Sequence, residues 1–432
     1  MFKELANKNK KIAVVGLGYV GLPLIKLLSK KFDVIGFDVD KNKIDSYKQG
    51  IDVTCSSEED PLSDYDIEFT SDETKLSEAN FIIVTVPTPV KQNQVPDLSY
   101  VESATETVAK NLKPNSIIVY ESTVYPGVTE EVCVPIIERI SGFKCGEDFC
   151  VGYSPERVNP GKNNEKLENI NKIVSGMNKK SLDIIYNVYD SILNADVYKA
   201  QTIKVAEAAK VTENIQRDVN IALINELSII YNNMGIKTQD VIDAAGTKWN
   251  FVKYTPGLVG GHCIGIDPYY LIYKSQLMGY NPRLINESRN VNENMIEYIF
   301  NNIVLSLIKN KVEVKNSEVL LCGVTFKENC NDLRNSKIIE VIEKLKELDV
   351  NITIYDPNIT NKELKDMYGL ELTETLTGKY DAIVIATPHS QFKEFTYEQL
   401  KDLSKNKLIC IDLKEILRDK LENNEDVSYW SL

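Results

Sequence analysis

The chain contains no apolar run approaching the roughly 20 residues that a membrane-spanning helix needs, so we expect no membrane insertion. Histidine occurs only twice in 432 residues, and the eight cysteines include no C-x-x-C pair, so we expect no bound metal. The net charge of −13 argues against a nucleic-acid partner, which requires a basic surface. A small anionic ligand stays possible, because a few lysine and arginine side chains can reverse the potential locally.

The opening residues are polar and lysine-rich, and they lack the apolar core of a signal peptide. Scattered cysteines without a disulfide-like spacing are typical of reduced thiols, so we predict a cytoplasmic protein. A chain of this length forms two or three domains, each with its own core. We predict domains over 1–200, 201–310 and 311–432.

Short apolar segments that alternate with helix-like segments define the first domain. Strands are predicted at 11–16, 33–38, 81–86, 116–120 and 149–153. Buried parallel strands of this kind, with helices between them, indicate a doubly wound α/β domain over 1–200.

The pattern becomes helical from Thr202, where apolar residues recur at helical spacing as far as Met234 and Gly235 ends the segment. Two more helices are predicted at 239–245 and 283–309. Strands return at 318–323, 351–356, 382–386 and 408–412, and they form a second α/β domain. The predicted fold is therefore α/β, with two Rossmann-like doubly wound domains joined by a helical middle domain that has a long central helix.

A glycine fingerprint, Gly16-Leu-Gly18-Tyr-Val-Gly21, lies where the first strand passes into a helix. Glycines at these positions allow a tight turn and a close approach of the backbone to a pyrophosphate. Asp38 closes the next strand, where a carboxylate can bind a ribose hydroxyl and favours NAD over a 2′-phosphorylated cofactor. The alternative is a glycine turn that only packs.

The stretch Gly257-Leu-Val-Gly-Gly-His-Cys-Ile-Gly-Ile-Asp-Pro268 is a second glycine-rich segment, and it contains Cys263. A thiol on such a loop can attack a substrate carbon, which beside a nicotinamide cofactor suggests an oxidation through a thioester. Two alternatives remain: a cysteine that is a small core residue, and metal ligation together with His262.

Several polar residues occupy positions that suit a site. Lys210 and Asn214 share one face of the long helix, where they could stabilise an oxyanion or move a proton, or could simply face solvent. Ligands bind beyond the carboxyl ends of strands in open α/β sheets. That rule selects the residues that follow predicted strands, where the alternative is a turn with an ordinary surface ion pair: Thr88, Thr123, Glu156, Arg157, Lys327 and Arg334.

Taken in order, these motifs resemble those of the UDP-glucose/GDP-mannose dehydrogenase family. The resemblance rests on G-x-G-x-x-G at Gly16, V-P-T-P at Val86, E-S-T at Glu121, S-P-E-R at Ser154, the helix with Lys210 and Asn214, G-G-H-C-I-G-I-D-P at Gly260, G-V-T-F-K at Gly323 and D-L-R at Asp332. It extends along the whole chain.

The resemblance implies a four-electron oxidation of a sugar C6 hydroxyl to a carboxylate, with NAD as the cofactor and a UDP-sugar as the substrate. Cys263 would form a thiohemiacetal and then a thioester. Lys210, Asn214 and Asp267 would handle protons and the oxyanion, while Glu156 and Thr123 would activate the hydrolytic water.

The resemblance also implies the binding residues. The cofactor would contact Gly16, Gly18, Tyr19, Val20, Gly21, Asp38, Lys43, Thr88, Thr123 and Arg334. The nucleotide sugar would contact Glu156, Arg157, Val158, Lys210, Asn214, Arg217, Tyr254, Gly257, Gly260, Phe326 and Lys327. A homodimer formed through the long helix is expected, with Arg289 a candidate to reach the partner.

His262 and Gly265 resemble the branch of the family that oxidises UDP-N-acetylhexosamines, with N-acetylglucosamine or N-acetylgalactosamine, for surface polysaccharide. UDP-glucose or UDP-N-acetylmannosamine is the alternative substrate. Two further alternatives remain. One is an NAD-binding sensor without catalytic activity, and the other is a dehydrogenase that carries out a single two-electron oxidation, a reaction that does not require Cys263.

Overall fold

A computed structural model describes residues 1–54, 61–91, 93–157 and 166–432 of the chain. The chain divides into two compact units. The first unit comprises Met1–Glu213 and Tyr269–Tyr280, and the second comprises Asn214–Pro268 and Asn281–Leu432. The three boundaries expected from the sequence stay predictions. Within the described ranges, no helix is both long and apolar enough to cross a bilayer.

The sheet of the first unit has, among the described residues, eight strands. The strands are β1 Lys11–Val15, β2 Val34–Phe37, β3 Ile67–Thr70, β4 Ala79–Val84, β5 Ser116–Tyr120, β6 Phe149–Tyr153, β7 Lys172–Gly176 and β8 Val197–Lys199. Their order is β3-β2-β1-β4-β5-β6-β7-β8, and all neighbours are parallel except the antiparallel pair β6–β7. The order reverses at β1 and β4, which is where dinucleotide-binding sheets hold their ligand.

Except for four consecutive helices in the middle of the chain, the α-helices of the described residues mostly lie between strands. They are α1 Phe2–Ala6, α2 Gly21–Ser29, α3 Lys41–Lys48, α4 Ser99–Lys110, α5 Val134–Ser141, α6 Lys179–Ile192, α7 Ile203–Asn233, α8 Thr238–Ala245, α9 Asp267–Leu277, α10 Arg283–Lys309, α11 Ile338–Glu347, α12 Asn361–Tyr368, α13 Tyr397–Asp402 and α14 Arg418–Leu421. The long central helix is therefore confirmed, since α7 differs from the predicted span by one residue at each end.

The second unit has a parallel sheet with the order β10-β9-β11-β12-β13 in the described part of the chain. Its strands are β9 Glu318–Cys322, β10 Asn351–Tyr355, β11 Ala382–Ile385, β12 Leu408–Asp412 and β13 Val427–Trp430. Alternate residues of β9 enter two different apolar clusters, Val319 and Leu321 in one and Leu320 and Cys322 in the other. The sheet is thus buried on both faces, as expected for a doubly wound domain, and the predicted fold class is confirmed.

Two details differ from the expectation. β4 ends at Val84 rather than at residue 86, because the chain turns at Val86-Pro-Thr-Pro, where Pro87 has no amide hydrogen for a ladder. β3, β7, β8 and β13 were not predicted. Their sequences mix polar with apolar residues, and β8 is largely exposed, so they do not form the continuous apolar runs of the central strands.

Candidate active site

The glycine fingerprint of the first unit has the geometry that a dinucleotide needs. Gly16 begins the turn after β1 with a φ of +94°, which favours glycine. A Cβ at Gly21 would lie 1.9 Å from the carbonyl oxygen of Gly16, so α2 can start this close to β1 only with glycine there. A Cβ at Gly18 would meet nothing within 4 Å, so the backbone between Gly18 and Tyr19 is open to a ligand.

Asp38 lies at the carboxyl end of β2 and is buried. Its Oδ2 accepts hydrogen bonds from the Leu17 amide and from Lys43 Nζ, both at 2.9 Å, and its Oδ1 accepts from the Asp40 amide at 3.0 Å. The carboxylate is therefore fixed against the glycine turn, where it can bind the ribose hydroxyls of NAD. These residues fit the cofactor that the motif predicted.

The loops after β4 and β5 are held close to the same end of the sheet. Thr85 Oγ1 donates to the Gly16 carbonyl at 2.6 Å, and Ser122 Oγ donates to the Val86 carbonyl at 2.6 Å. The Tyr270 hydroxyl donates to the Thr88 carbonyl at 2.8 Å. Thr88 and the half-buried Thr123 thus lie in fixed loops at the carboxyl ends of neighbouring strands, as predicted.

A carboxylate and an ammonium group face each other within the first unit. Glu156, just after β6, and Lys210, on α7, have side chains that are 13% and 6% exposed, and Lys210 Nζ lies 3.9 Å from Glu156 Oε2. The alternative that Lys210 simply faces solvent is therefore wrong. A carboxylate and an ammonium group at this distance can together move a proton to or from a bound substrate.

Glu207, one turn before Lys210, fixes the loop that follows Thr123. Its buried carboxylate accepts hydrogen bonds from the amides of Gly127 at 2.6 Å and Thr129 at 3.0 Å. Burial raises the pKa of Glu207 above its usual value, although these hydrogen bonds oppose that shift. The glutamate thus satisfies two amides that would otherwise lack partners.

The side chain of Arg157 is held by two contacts within the first unit. Its guanidinium pairs with Glu213 at 2.9 Å and donates to the Asn171 carbonyl at 2.7 Å. The expectation that it binds a nucleotide sugar stays a prediction. Val158 lies outside the described residues.

Cys263 belongs to the second unit and lies in a turn directly before α9. Its carbonyl accepts the amides of Ile266 at 3.1 Å and Asp267 at 2.8 Å, which closes the turn onto the helix, and its side chain is half-buried. Asn214 Nδ2 on α7 donates to Asp267 Oδ2 at 2.5 Å. The structure therefore brings Asn214 and Asp267 together, four residues after the thiol.

The glycines before Cys263 allow close packing rather than a loose loop. A Cβ at Gly260 would lie 2.6 Å from the Asn335 carbonyl oxygen, and one at Gly261 would lie 2.8 Å from the Phe326 ring. The Asn335 carbonyl also accepts the Gly261 amide at 3.3 Å. Gly260 and Phe326 are thus in one contact region, and Lys327 follows Phe326 in the chain.

His262 and Arg334 share one carboxylate. Arg334 pairs with Asp332 at 2.7 Å, and His262 Nε2 lies 3.6 Å from the same side chain. Although burial by itself raises the pKa of Asp332, the hydrogen bonds from Arg334 and the nearby His262 ring outweigh it and hold the pKa well below its usual range. Asp332 is therefore ionised, and it holds the arginine that was predicted to reach NAD.

An open pocket of about 340 Å³ in the second unit combines cationic, aromatic and glycine residues. Its lining includes Arg217, Lys253, Tyr254, Thr255, Gly257 and Lys414. Arg217, Tyr254 and Gly257 were predicted for the substrate, and Lys253 and Lys414 were missed. Burial lowers the pKa of Lys414 to about 8. Lys414 follows β12 by two residues, so the strand-end rule that selected Thr123 could have found it.

Arg289 was a candidate to reach a partner subunit, and the structure contradicts this role. The side chain is 2% exposed and pairs with Asp218 at 2.5 Å and with Glu293 of the same protomer. A buried guanidinium that neutralises two acids of its own chain cannot extend to a second copy. Within the described ranges, no group of three or more histidine, cysteine or acidic residues could hold a metal ion.

Comparisons with known proteins agree with the motifs. Models of the UDP-glucose/GDP-mannose dehydrogenase family match an NAD binding domain at 10–193, a central domain at 204–294 and a UDP binding domain at 320–419. A UDP-N-acetyl-D-glucosamine 6-dehydrogenase from Salmonella typhi is 48% identical over 94% of this chain and 96% of its own. The enzyme of the same name from Pseudomonas aeruginosa is 46% identical over 95% and 98%.

A solved structure of the UDP-D-ManNAc dehydrogenase from Pyrococcus horikoshii matches with a TM-score of 0.88 and 30% identity, over 98% of each chain. The family models together cover most of the chain, in the order that the motifs predicted. The chain therefore belongs to the UDP-glucose/GDP-mannose dehydrogenase family and is an NAD-dependent oxidoreductase.

Proposed function

We propose that this enzyme oxidises the C6 hydroxyl of a UDP-N-acetylhexosamine to a carboxylate, with UDP-N-acetylglucosamine as the first choice and UDP-N-acetylgalactosamine as the second. One observation carries the proposal. The pocket with Arg217, Lys253 and Lys414 adjoins Gly257, and the loop that begins at Gly257 leads to Cys263 six residues later. Three cationic side chains suit a diphosphate, and a thiol suits an aldehyde carbon.

The choice of sugar is supported by the relatives. The two UDP-N-acetyl-D-glucosamine 6-dehydrogenases are 48% and 46% identical to this chain, whereas the UDP-D-ManNAc dehydrogenase is 30% identical. His262 and Gly265 beside the thiol agree with an N-acetylated sugar, as the motif resemblance implied. The uronic acid product would supply surface-polysaccharide synthesis.

In the first oxidation, the chain's residues hold the alcohol and remove its proton. When bound, NAD accepts a hydride in each of the two oxidations. We assign Lys210 and Asn214 to the alcohol oxygen, where an ammonium and an amide stabilise developing negative charge. Asp267, hydrogen-bonded to Asn214, orients that amide and takes part in proton transfer.

The thiol then captures the aldehyde. Cys263 adds to C6 as a thiolate. The resulting thiohemiacetal becomes a thioester when it loses its C6 hydrogen as a hydride, in the second oxidation, together with its hydroxyl proton. Lys210 and Asn214 stabilise the oxyanion of this adduct. Glu156 accepts a proton from the water that cleaves the thioester, with Thr123 helping to position that water. Water thus supplies the second oxygen of the carboxylate, and the thiol is released.

A panel of UDP-sugars tests this proposal. Under initial-rate conditions, we expect kcat/KM for UDP-N-acetylglucosamine or UDP-N-acetylgalactosamine to exceed that for UDP-glucose by about tenfold or more, because the site must accommodate the acetamido group. Two NADH should form for each sugar. Preferred oxidation of UDP-glucose or UDP-N-acetylmannosamine would contradict the sugar assignment, and one NADH with a released aldehyde would contradict the mechanism.

The pH dependence of UDP binding tests the role of Lys414. Because burial lowers its pKa to about 8, the side chain is mainly charged at neutral pH and mainly neutral above that value. A bound diphosphate favours the charged form, so binding takes up a proton at high pH and weakens. We expect the Kd of UDP to rise by roughly tenfold between about pH 7 and pH 9. Isothermal titration calorimetry at both pH values measures this Kd.

Lys414→Arg is the matched variant for this experiment, since arginine stays charged throughout that range. It should bind UDP with a Kd that changes by less than about twofold between the two pH values. An equal pH dependence in both proteins would contradict the assignment of Lys414 to the diphosphate.

We infer a homodimer formed through the second half of α7. Leu223 and Ile230 are exposed there and fall on one helix face, seven residues apart, and the exposed Met234 follows directly after the helix. Trp249 is 92% exposed and Val252 is 66% exposed in the same unit. Such a concentration of exposed large apolar groups is typical of an interface, and a second copy of the chain is the partner implied by the motifs.

Light scattering after size-exclusion chromatography tests the dimer. The double variant Leu223→Glu/Ile230→Glu should elute as a monomer, because burying two carboxylates at an apolar interface is costly. Leu348→Glu, at an exposed position elsewhere in the second unit, is the control and should stay dimeric. A monomeric wild type, or a dimer that survives the double substitution, would exclude this interface.

We also infer a cytoplasmic location. None of the seven cysteines among the described residues forms a disulfide, which agrees with a reducing compartment.

A further inference from the structure

The loop that carries Cys263 is held at its first residue by a side-chain amide. Asn225, buried on α7, accepts the Gly257 amide with Oδ1 at 2.7 Å and donates Nδ2 to the Gly257 carbonyl at 3.0 Å. Gly257 has a φ of +153°, and a Cβ there would lie 2.5 Å from Lys414 Nζ. The rim of the cationic pocket is therefore fixed by a residue that does not line it.

Asn292, on α10, connects this amide to a buried carboxylate. Its Oδ1 accepts from Asn225 Nδ2 at 2.8 Å, and its Nδ2 donates to Asp218 Oδ1 at 2.7 Å and to the Asp218 carbonyl at 3.1 Å. The side-chain amides of Asn225 and Asn292 therefore both donate and accept hydrogen bonds, and they join α7 to α10 and to Gly257. A buried network of this kind has few alternative arrangements, because any shift leaves a polar group without its partner.

Asp218 continues the network to the other end of the loop. It pairs with Arg289 at 2.5 Å, and a Cβ added at Gly265 would lie 3.9 Å from each of the two terminal nitrogens of Arg289. Gly265 is two residues after Cys263. Burial raises the pKa of Asp218, and the charge of Arg289 opposes that shift. Glu293, the second partner of Arg289, is itself paired with Lys337 at 2.8 Å, so the buried charges are balanced.

We propose that Asn292 is a positioning residue that couples the pocket at Gly257 to the turn of Cys263, through Asn225 on one side and Asp218 and Arg289 on the other. The four side chains, each at most 3% exposed, form one connected path between the two ends of the loop. None of these four side chains is among the residues that line the pocket, so their action on it is indirect. A ligand that moves or fixes Gly257 changes the position of the turn before α9. The inference rests on the proposed function only in taking this pocket as the nucleotide site.

The experiment uses UDP as the probe and the alkylation rate of Cys263 by iodoacetamide as the readout, followed on its own peptide by mass spectrometry. UDP lacks the sugar that would cover the thiol, so its effect reports the position of the loop. Saturating UDP should change the wild-type alkylation rate by about fivefold or more. In Asn292→Leu, which keeps the volume but not the hydrogen bonds, the change should be less than about twofold, with the Kd of UDP within about threefold.

The ratio of the Cys263 alkylation rates with and without UDP separates a loss of coupling from a loss of protein stability. A defect that only destabilises the fold alters both rates by the same factor and leaves their ratio unchanged. Arg289→Lys is the second variant if Asn292→Leu does not fold. It keeps a charge opposite Asp218 but loses the fork beneath Gly265, and it should also reduce the UDP effect. Asn290→Leu, an exposed asparagine on the same helix, is the control and should retain it.

Two results would overturn the inference. The first is a wild-type alkylation rate that does not change when UDP is added, whether UDP binds or not. The second is a full effect of UDP on the alkylation rate in both Asn292→Leu and Arg289→Lys. Failure of the proposed function gives a different result. In that case no UDP-sugar in the panel is oxidised, while UDP still controls the thiol and the variants still abolish that control.

Discussion

Cys263→Ser is expected to lower the steady-state rate of NADH formation by about 10³-fold or more, because it removes the nucleophile of the second oxidation. A thiol is partly ionised near neutral pH, whereas a serine hydroxyl is not, so serine is a far weaker nucleophile at this position. Serine also fills nearly the same volume in the half-buried position, so the fold should persist. The first oxidation does not need the thiol, so a slow release of aldehyde with one NADH per sugar should remain.

The measurement combines NADH absorbance with analysis of the sugar product. Cys145→Ser is the matched control, since Cys145 is also half-buried and outside any disulfide but belongs to the first unit. It should form two NADH per sugar at close to the wild-type rate. A Cys263→Ser enzyme that still turns over to the uronic acid would exclude the covalent mechanism, because the carboxylate would then arise without a thioester.

The fold could be predicted from the sequence largely because its central strands are buried on both faces. β1, β5, β9 and β12 are continuous apolar runs, so they stand out from the flanking helices without any tertiary information. Edge strands such as β3 and β8 are held by one neighbour and by partial burial, and their composition resembles that of loops. Their pairing is a tertiary property, and the local sequence does not encode it strongly.

The candidate site was predictable where a short motif carries the geometry. Gly21 has to be glycine because the Gly16 carbonyl occupies the space of a side chain, and such a constraint is local in the chain. The contacts of Asn225, Asn292 and Lys414 join segments that are far apart in the sequence. For the same reason Arg289 was misassigned: an arginine on a helix gives no sign that Asp218, 71 residues earlier, buries and neutralises it.

Glu156→Gln tests the last step of the proposed reaction, and we expect it to lower kcat by about 10²–10⁴-fold. Glutamine keeps the shape of the side chain but cannot accept a proton from the hydrolytic water. Both oxidations precede that step, so a first turnover should yield a rapid burst approaching two NADH per enzyme before the slow phase. The thioester should accumulate on Cys263 and appear as an added mass on its peptide in stopped reactions.

The control is Glu131→Gln in the same unit, which removes an exposed carboxylate that pairs with Lys204 and Lys274 and should leave both phases unchanged. Because Glu156 also lies 3.9 Å from Lys210, a loss of the burst itself has a distinct meaning. It would show that the carboxylate acts through Lys210 during the oxidations and not on the water. A burst with no adduct on Cys263 would exclude the thioester as the species that waits for hydrolysis. A burst of two NADH together with the thioester on Cys263 would show that hydrolysis is the step that was slowed, which is the step that Glu156 serves as a base.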